Sequence, residues 1–467
     1  MTADIGLIGL AVMGQNLALN MAEKGFSVVV YNRTVSKVQE FLEGSAKGFS
    51  IEGCTDLRAF FSALKRPRKV IFMVKAGQPV DDLIAQSLPF VEPGDILIDG
   101  GNSHFSDTQR RVRELGERGI HFLGVGISGG EEGARHGPSI MPGGAPAAWP
   151  AVQPILQRIS AQVGKDACCD WVGEGGAGHF VKMVHNGIEY ADMQLIAETY
   201  DILKRGCGLS DSELAETFRK WNEGRLKSYL IEITAAIFEK KDADGTPLVD
   251  KILDVAEQKG TGKWTVANAL DLGMPLPLIA EAVFARNLSA IYEDRQVAGR
   301  LLGDSTKSIH IAMYTLTRRL EQALYAAKII SYAQGFLLLY YASKEYGWRL
   351  NLGACALMWR GGCIIRSAFL GKIAESYERD PGLSLLILDP FFKEAIRRCL
   401  PSLRWVVAKG ATVGIPLPCL ASALAWYDGV RSSRLPTNLL QAQRDYFGAH
   451  TFERVDQPRG VKFHVTW

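Results

Sequence analysis

The sequence predicts a doubly wound α/β domain, then a large all-α domain, then a short C-terminal tail. Three observations predict it. Between residues 4 and 34 a strand, a glycine turn, a helix and a second strand follow one another, and strands go on alternating with helices as far as residue 177. From 178 to 433 the apolar spacing turns helical, with signs of an internal repeat. A Pro-containing stretch, SSRLPTN, then leads into residues 434–467. The expected units are therefore 1–177, 178–433 and 434–467.

The composition bounds the reading. At 467 residues, 47% hydrophobic and 22% charged, the chain is globular and long enough for roughly two to four domains with ordinary cores. Its eight cysteines form no Cys-x-x-Cys pair, which argues against a disulfide framework and against a zinc site. The N-terminal MTADIGLIGL lacks a basic region ahead of its apolar run and reads as a strand, not a signal peptide. GFLLLYYA, the longest apolar stretch, is too short to span a bilayer. A net charge of +3 gives no footprint for nucleic acid. The expectation is a cytoplasmic protein with no nucleic-acid or membrane partner.

In the first domain, Ile5 to Ile8 run into Gly9, Ala11 and Gly14, then a helix over Gln15 to Lys24, then the strand FSVVVY. Glycine permits the tight turn, small residues leave room for a pyrophosphate, and the helix N-terminus offers free N–H groups to it. That context marks a Rossmann-like dinucleotide site. NAD binders tend to place a carboxylate after the second strand; here the residues are Asn32, Arg33 and Thr34, donors suited to the 2′-phosphate of NADP. RKVIFMVK (68–75) and DILIDG (95–100) read as further strands whose C-terminal loops hold Val74, Lys75 and Asn102. With Gly9, Ala11, Met13, Gly14, Asn32, Arg33 and Thr34, these are the candidate cofactor contacts. GVGISGGEEGARHGPSIMPGG (124–144) reads as a Gly-rich loop in which Ser128, Gly129 and Gly130 offer backbone N–H groups to a carboxylate or phosphate.

In the helical domain, Tyr190-Ala191 is matched by Tyr332-Ala333, and Trp221-x-x-Gly224-x-Leu226 by Trp359-x-x-Gly362-x-Ile364, at offsets of 142 and 138. At an offset of 142, Lys182, His185, Asn186 and Glu189 map to Leu324, Ala327, Lys328 and Ser331. The polar set of the first copy is then an addition to the helix, which favours function over architecture. In GHFVKMVHNGIEY (178–190), Lys182, His185, Asn186, Glu189 and Tyr190 cover an arc of roughly 140° on one side of a helix. Lys182 and Glu189 lie about 10 Å apart along its axis. A solvated face is the bland account of such a helix. Its place after a cofactor domain, and an amide and an imidazole among the charges, suit hydroxyl recognition better. KGTGKWT (259–265) adds Lys259 and Thr261, FARNLSA (284–290) adds Arg286, and AQRDYFGAHTFER (442–454) adds Arg444 and His450.

Together, GLAVMGQNLALNMAEKGF, NRT, IDGGNSHF, GISGGEEGARHGPSIMPGG, GHFVKMVHNGIEY, KGTGKWT, FARNLSA and RDYFGAHTFER resemble the 6-phosphogluconate dehydrogenase family, nearly end to end. The resemblance implies NADP-dependent oxidative decarboxylation of 6-phosphogluconate to ribulose 5-phosphate by a homodimer. It implies that Lys182 is the general base and acid and Glu189 the second acid. Ser128, Gly129, Gly130, Asn102, His185 and Asn186 would hold the sugar's carboxylate and hydroxyls. Tyr190, Lys259, Thr261 and Arg286 would hold the 6-phosphate, with Arg444 and His450 reaching in from the partner subunit's tail. Oxidising a 3-hydroxy acid gives a β-keto acid, which loses CO2 once its carbonyl oxygen receives a proton; a lysine of lowered pKa can take and return that proton. No carboxylate cluster lies near these motifs, so no metal is expected. Two alternatives are a β-hydroxyacid dehydrogenase, which shares the N-terminal motifs without a doubled helical domain, and a non-enzymatic NADPH sensor, which would not need Lys182 or Glu189.

Overall fold

The computed structural model describes residues 2–303 and 306–467. Its first part alternates β1 (Ile5–Ile8), α1 (Val12–Glu23), β2 (Val28–Tyr31), α2 (Val35–Glu43), β3 (Ile51–Cys54), α3 (Leu57–Ser62), β4 (Lys69–Phe72), α4 (Gln78–Ser87), β5 (Ile96–Asp99) and α5 (Phe105–Gly116). There follow β6 (His121–Ser128), α6 (Gly130–His136), β7 (Ser139–Gly144), α7 (Trp149–Ile159), the small hairpin of β8 (Gln162–Val163) and β9 (Asp166–Ala167), and β10 (Gly173–Glu174). The strands β1 to β7 and β10 form one sheet in the order β10-β7-β6-β5-β4-β1-β2-β3, parallel except between β6 and β7. Apolar clusters cover both faces of this sheet, as a parallel sheet requires. The chain leaves β3 and crosses back to place β4 beside β1, so a crevice opens at the carboxyl ends of β1 and β4.

The glycine turn fits its expected place, with α1 beginning at Val12, three residues earlier than the apolar pattern indicates. Gly9 has φ +108 and a Cβ there would stand 2.4 Å from the carbonyl oxygen of Met73. Only glycine serves both demands.

The stretch 124–144 is not the loop expected from its glycines. It contains the end of β6, the short helix α6 and all of β7, with Val125 paired to Pro142 and Ser128 to Ser139. Its glycines let a helix approach the sheet: a Cβ on Gly126 would lie 2.4 Å from the Cβ of Lys182. The turns are confined to Gly129 and Gly130, at φ +115 and +62, and to Gly137 before β7, at φ +142. KGTGKWT likewise is a helix start more than a loop, because α11 (Thr261–Asp271) begins at Thr261 after Gly260.

The second part is helical: α8 (Ala177–Asp201), α9 (Asp211–Asn222), α10 (Tyr229–Glu239), α11, α12 (Pro277–Ala290), α13 (Tyr292–Leu302), α14 (Met313–Glu345), α15 (Leu352–Met358), α16 (Leu370–Arg379), α17 (Pro390–Val413) and α18 (Pro418–Val430). At 33 residues α14 exceeds the length that GFLLLYYA suggests, and by length and composition it is apolar enough to cross a membrane. Here 94% of that apolar window is buried inside the protein, against α8, α17 and α18.

The two copies are clearest at their helix starts. Ser210 caps α9 and Asn351 caps α15, each through its side chain, 141 residues apart. α12 and α18 start on Pro277 and Pro418, again 141 apart. Each long helix caps the other copy's short one. Gln334 of α14 accepts from the N–H groups of Leu278 and Ile279 at 3.2 and 3.4 Å, and Glu198 of α8 from those of Cys419 and Leu420 at 2.8 and 2.9 Å. The two capping residues, Glu198 and Gln334, stand 136 apart, so the long helices follow a different offset from the short ones, and at 136 Lys182, His185, Asn186 and Glu189 fall on Arg318, Glu321, Gln322 and Tyr325. Lys328, which the offset of 142 sets opposite Asn186, forms a buried ion pair with Asp192 and so ties α14 to α8.

The tail holds α19 (Thr437–Gly448) and a bridge between Phe452 and Phe463. It leaves Leu439, Leu440, Tyr446 and Phe447 exposed.

The two caps differ in charge. Burial drives the Glu198 carboxyl up from 4.5 to about 7, against the pull of the Leu420 and Cys419 N–H groups. The native state therefore holds a proton that the unfolded chain gives up at lower pH, and stability falls as pH rises between these two values. At roughly 1.4 kcal/mol per pKa unit, about 3 kcal/mol is lost above the window. Glu198→Gln, which copies Gln334, should unfold at higher urea than the wild type, with the gap wider at about pH 8 than at about pH 5. Equal gaps at both pH values would refute this.

Candidate active site

The polar face of α8 lies against the carboxyl ends of β5 and β6. Lys182 is 6% exposed and His185 is fully buried. The Lys182 Nζ donates to Asn186 Oδ1 at 2.8 Å and lies 3.4 Å from His185 Nδ1. His185 Nε2 stands 3.3 Å from Ser128 Oγ. Asn186 Nδ2 donates to Thr261 Oγ1 at 2.9 Å. Glu189, one turn on from His185, approaches its ring at 3.8 Å. The Arg286 guanidinium sits over the Tyr190 ring, 3.5 Å from its centroid, and donates to the carbonyl of Glu257. Strand β6, helix α8, helix α11 and helix α12 thus bring Ser128, Lys182, His185, Asn186, Glu189, Tyr190, Thr261 and Arg286 together.

Burial sets the charges. It pulls the Lys182 amine below its ordinary range, with Glu189 opposing. It pushes the Glu189 carboxyl up against the pull of Lys182 and Arg286. His185 is held far below its usual range by burial and by Lys182, so it is a neutral imidazole. The amine and the carboxyl are both biased toward their neutral forms, which are the forms a general base and a proton donor need.

The cofactor crevice fits a dinucleotide. The first turn of α1 has neither a capping side chain nor an acidic residue, so its N–H groups face the crevice free. Met13 lies in that turn, and Ala11 stands at its N-cap. Arg33 and Thr34 are exposed at the end of β2, and Arg33 makes no hydrogen bond or ion pair with the described residues. Asn32 serves differently from the expectation of a free donor: its Oδ1 accepts from the Leu10 N–H at 3.1 Å and its Nδ2 donates to the Thr34 carbonyl at 3.0 Å. It pins the glycine turn to the end of β2.

Three groups escaped the sequence reading. Trp359 packs edge-on against His185 at 5.6 Å, and Cys363, its thiol pushed up to about 12 by burial, interacts with Lys182. The W-x-x-G echo flagged Trp359 as architecture only. The third is Arg111 of α5, 1% exposed and without any local motif. It grips Asp81 through Nε at 2.8 Å and Nη2 at 2.9 Å, the Gly77 carbonyl at 3.0 Å and Asp99 at 3.4 Å. Asp99 in turn accepts from the Gly101 N–H and the Ser103 hydroxyl. The loop carrying Val74 and Lys75 is thereby tied to the loop carrying Asn102.

Not every expected residue joins the site. Lys259 and Asn102 border it as exposed side chains. Arg444 bonds only to Gln441, and His450 meets the Phe447 ring edge-on; neither makes a hydrogen bond, ion pair or ring contact with the site residues of its own chain.

The comparisons with known proteins agree. The family described as "6-phosphogluconate dehydrogenase, C-terminal domain" matches residues 178–467, and "NAD binding domain of 6-phosphogluconate dehydrogenase" matches residues 4–173. The chain is 58% identical to the decarboxylating 6-phosphogluconate dehydrogenase of Aggregatibacter actinomycetemcomitans, over 99% of this chain and 96% of that one. It is 56% identical to the Mus musculus protein of the same name, over 100% of this chain and 96% of that one. The Plasmodium falciparum 6-phosphogluconate dehydrogenase, solved in its apo form, with its cofactor NADP+ and with its substrate 6-phosphogluconate, superposes with a TM-score of 0.96 at 47% identity, covering 99% of this chain and 100% of that one.

Arg111 supplies a test of the loop clamp. Arg111→Met leaves the buried Asp99 without its guanidinium and Asp81 with Arg110 alone, a loss of about 3–5 kcal/mol for a broken buried pair. Urea unfolding should register it, and titration with NADP should show weaker binding than in the wild type. Unchanged NADP affinity would mean that the clamp does not shape the cofactor loops.

Proposed function

The chain belongs to the decarboxylating 6-phosphogluconate dehydrogenase family, and on that premise we propose which of its residues carry each step. It oxidises and decarboxylates 6-phosphogluconate to ribulose 5-phosphate, CO2 and NADPH. When bound, NADP supplies the hydride acceptor; Arg33 and Thr34 would hold its 2′-phosphate, the α1 N-terminus with Gly9, Ala11, Met13 and Gly14 its pyrophosphate, and Val74, Lys75 and Asn102 its nicotinamide half. Asn32 supports this site by pinning the turn.

The single observation that carries the assignment is the buried Lys182 on the same helix face as Glu189, with both pKa shifts toward the neutral forms. The neutral Lys182 amine takes the C3 hydroxyl proton as the hydride leaves. The ammonium so formed returns the proton to the new carbonyl oxygen, which accepts the electron pair released as CO2 departs. Glu189 then protonates the carbon that lost CO2, and Lys182 takes the enediol proton as the ketone forms. Ser128, Gly129, Gly130, His185 and Asn186 orient the carboxylate and hydroxyls. Tyr190, Lys259, Thr261 and Arg286 receive the 6-phosphate. The neutral imidazole of His185 acts as a hydrogen-bonding group beside Ser128.

Mixing the protein with 6-phosphogluconate and NADP should release NADPH and CO2 together. Lys182→Met should lower kcat by about 10²–10⁴-fold, the usual loss of a general base, while substrate still binds. A variant keeping more than about a tenth of wild-type kcat would remove Lys182 from this role.

We further read the working unit as a homodimer in which residues 434–467 complete the partner's site with Arg444 and His450, the helical unit being 178–433 and the cofactor unit 1–177. Supporting this, Phe284, Leu288, Leu301 and Leu302 leave an apolar face exposed on α12 and α13, and the tail's own apolar side chains are uncovered. Its eight free thiols suit the cytosol. Complementation tests the exchange. A Lys182→Met chain and an Arg444→Ala chain, unfolded and refolded together, should regain activity, because a mixed dimer has one site with neither lesion. Activity no greater than the parents' average would place each tail on its own subunit.

A further inference from the structure

Two of the three non-glycine residues with left-handed backbones among the described residues stand on either side of one histidine. Ala449 has φ 49 and Thr451 φ 62, flanking His450. A β-branched residue disfavours that conformation strongly, so the surroundings must hold it. What holds it is Asp445. This side chain is fully buried although it lies on an exposed helix. Its Oδ1 accepts the Thr451 N–H at 3.0 Å and lies 2.9 Å from His464 Nδ1. Its Oδ2 accepts the Val465 N–H at 3.3 Å and the Trp467 indole N–H at 3.0 Å. Gln441 secures the turn from the other side, donating to the Thr451 carbonyl at 2.6 Å. One carboxylate thus fastens residues 464–467 and the strained turn to α19, beside Arg444.

We propose that Asp445 is a positioning residue for substrate: it fixes the turn that aims His450 and, next to it on the helix, Arg444 at the 6-phosphate. The proposal rests on the reading that the tail contributes those two residues to a site. Asp445 touches no substrate itself. Its role needs an acceptor with two oxygens, because the groups facing it are all N–H donors.

The test is steady-state kinetics of the full dimeric enzyme. Asp445→Asn places an NH2 group against those donors and should raise the KM for 6-phosphogluconate by about tenfold, the cost of losing charge-assisted bonds. The change in kcat should be smaller, and the NADP dissociation constant should hold. Adding Thr451→Gly to Asp445→Asn should recover part of the lost affinity, since glycine takes the left-handed turn unaided. Should Asp445→Asn not fold, Trp467→Phe removes one of the four donors and should still raise KM by a factor of about two to five. Arg444→Ala serves as the control. If Arg444→Ala raises KM and both Asp445→Asn and Trp467→Phe leave it unchanged, the proposal falls while the tail's part in the site stands. If Thr451→Gly restores nothing, Asp445 merely props up the tail and the proposal falls. If Arg444→Ala itself leaves KM unchanged, the reading of the tail fails and takes the proposal with it.

Discussion

The approach of helix α8 to strands β6 and β7 is the constraint from which the site follows. A Cβ on Gly178 would lie 2.3 Å from the Gly124 carbonyl oxygen and 2.6 Å from that of Met141. Helix backbone therefore rests almost directly on sheet backbone, and each glycine there stands where any side chain would force the layers apart. Because the layers touch, Lys182 is buried in a water-poor seam, Ser128 is within reach of His185, and the sheet's cofactor crevice opens beside the helix's polar face. A helix held one side chain further out would leave the lysine solvated. Its amine would then stay protonated at neutral pH and would have no lone pair free to take a proton.

The doubled helical domain explains why such a helix tolerates burial. Around Lys182 the polar groups satisfy one another: Nζ with Asn186, Asn186 with Thr261, His185 with Ser128. Further along, Asp192 meets Lys328 and Glu198 meets the start of α18. The helix is thus polar along two separate stretches, one beside the sheet's cofactor crevice and one facing its structural counterpart. In the counterpart, at the 136-residue spacing of the two caps, the matching positions are Arg318, Glu321, Gln322 and Tyr325, so the lysine, imidazole, amide and carboxyl of the first copy are not repeated in place. Only one copy has been turned into a site.

Much of this was legible in the sequence, for reasons tied to particular residues. The strand Ile5–Ile8, its glycine turn and the helix after it carry a local signal, because a tight turn and a phosphate each demand small residues at fixed places. The face of α8 was legible because helical period alone gathers Lys182, His185, Asn186 and Glu189. The stretch 124–144 misled because glycine serves both turns and close packing, and composition cannot say which. Asn32 misled for a similar reason: an amide suits a phosphate and a backbone pin equally well. Arg111 was invisible, since Asp81 and Asp99 come to it from helix α4 and the end of strand β5 and no spacing within α5 announces them. Trp359 and Cys363 reach Lys182 and His185 only through the folding of the second copy.

The tail shows what a buried carboxylate can do without a core. Residues 437–467 have too few apolar side chains turned inward to fold by burial alone, and Leu439, Tyr446 and Phe447 stay uncovered. Order comes instead from converging donors: Asp445 collects four of them, and Glu453 collects Arg459, Lys462 and the Gly460 N–H. Such a unit is stiff locally yet weakly attached to its own chain, and its apolar side chains remain for another surface. These are the properties that the proposed exchange of tails between subunits would require of the segment carrying Arg444 and His450. A floppy tail would pay an ordering cost at every binding event. One packed into its own chain would not be free to reach.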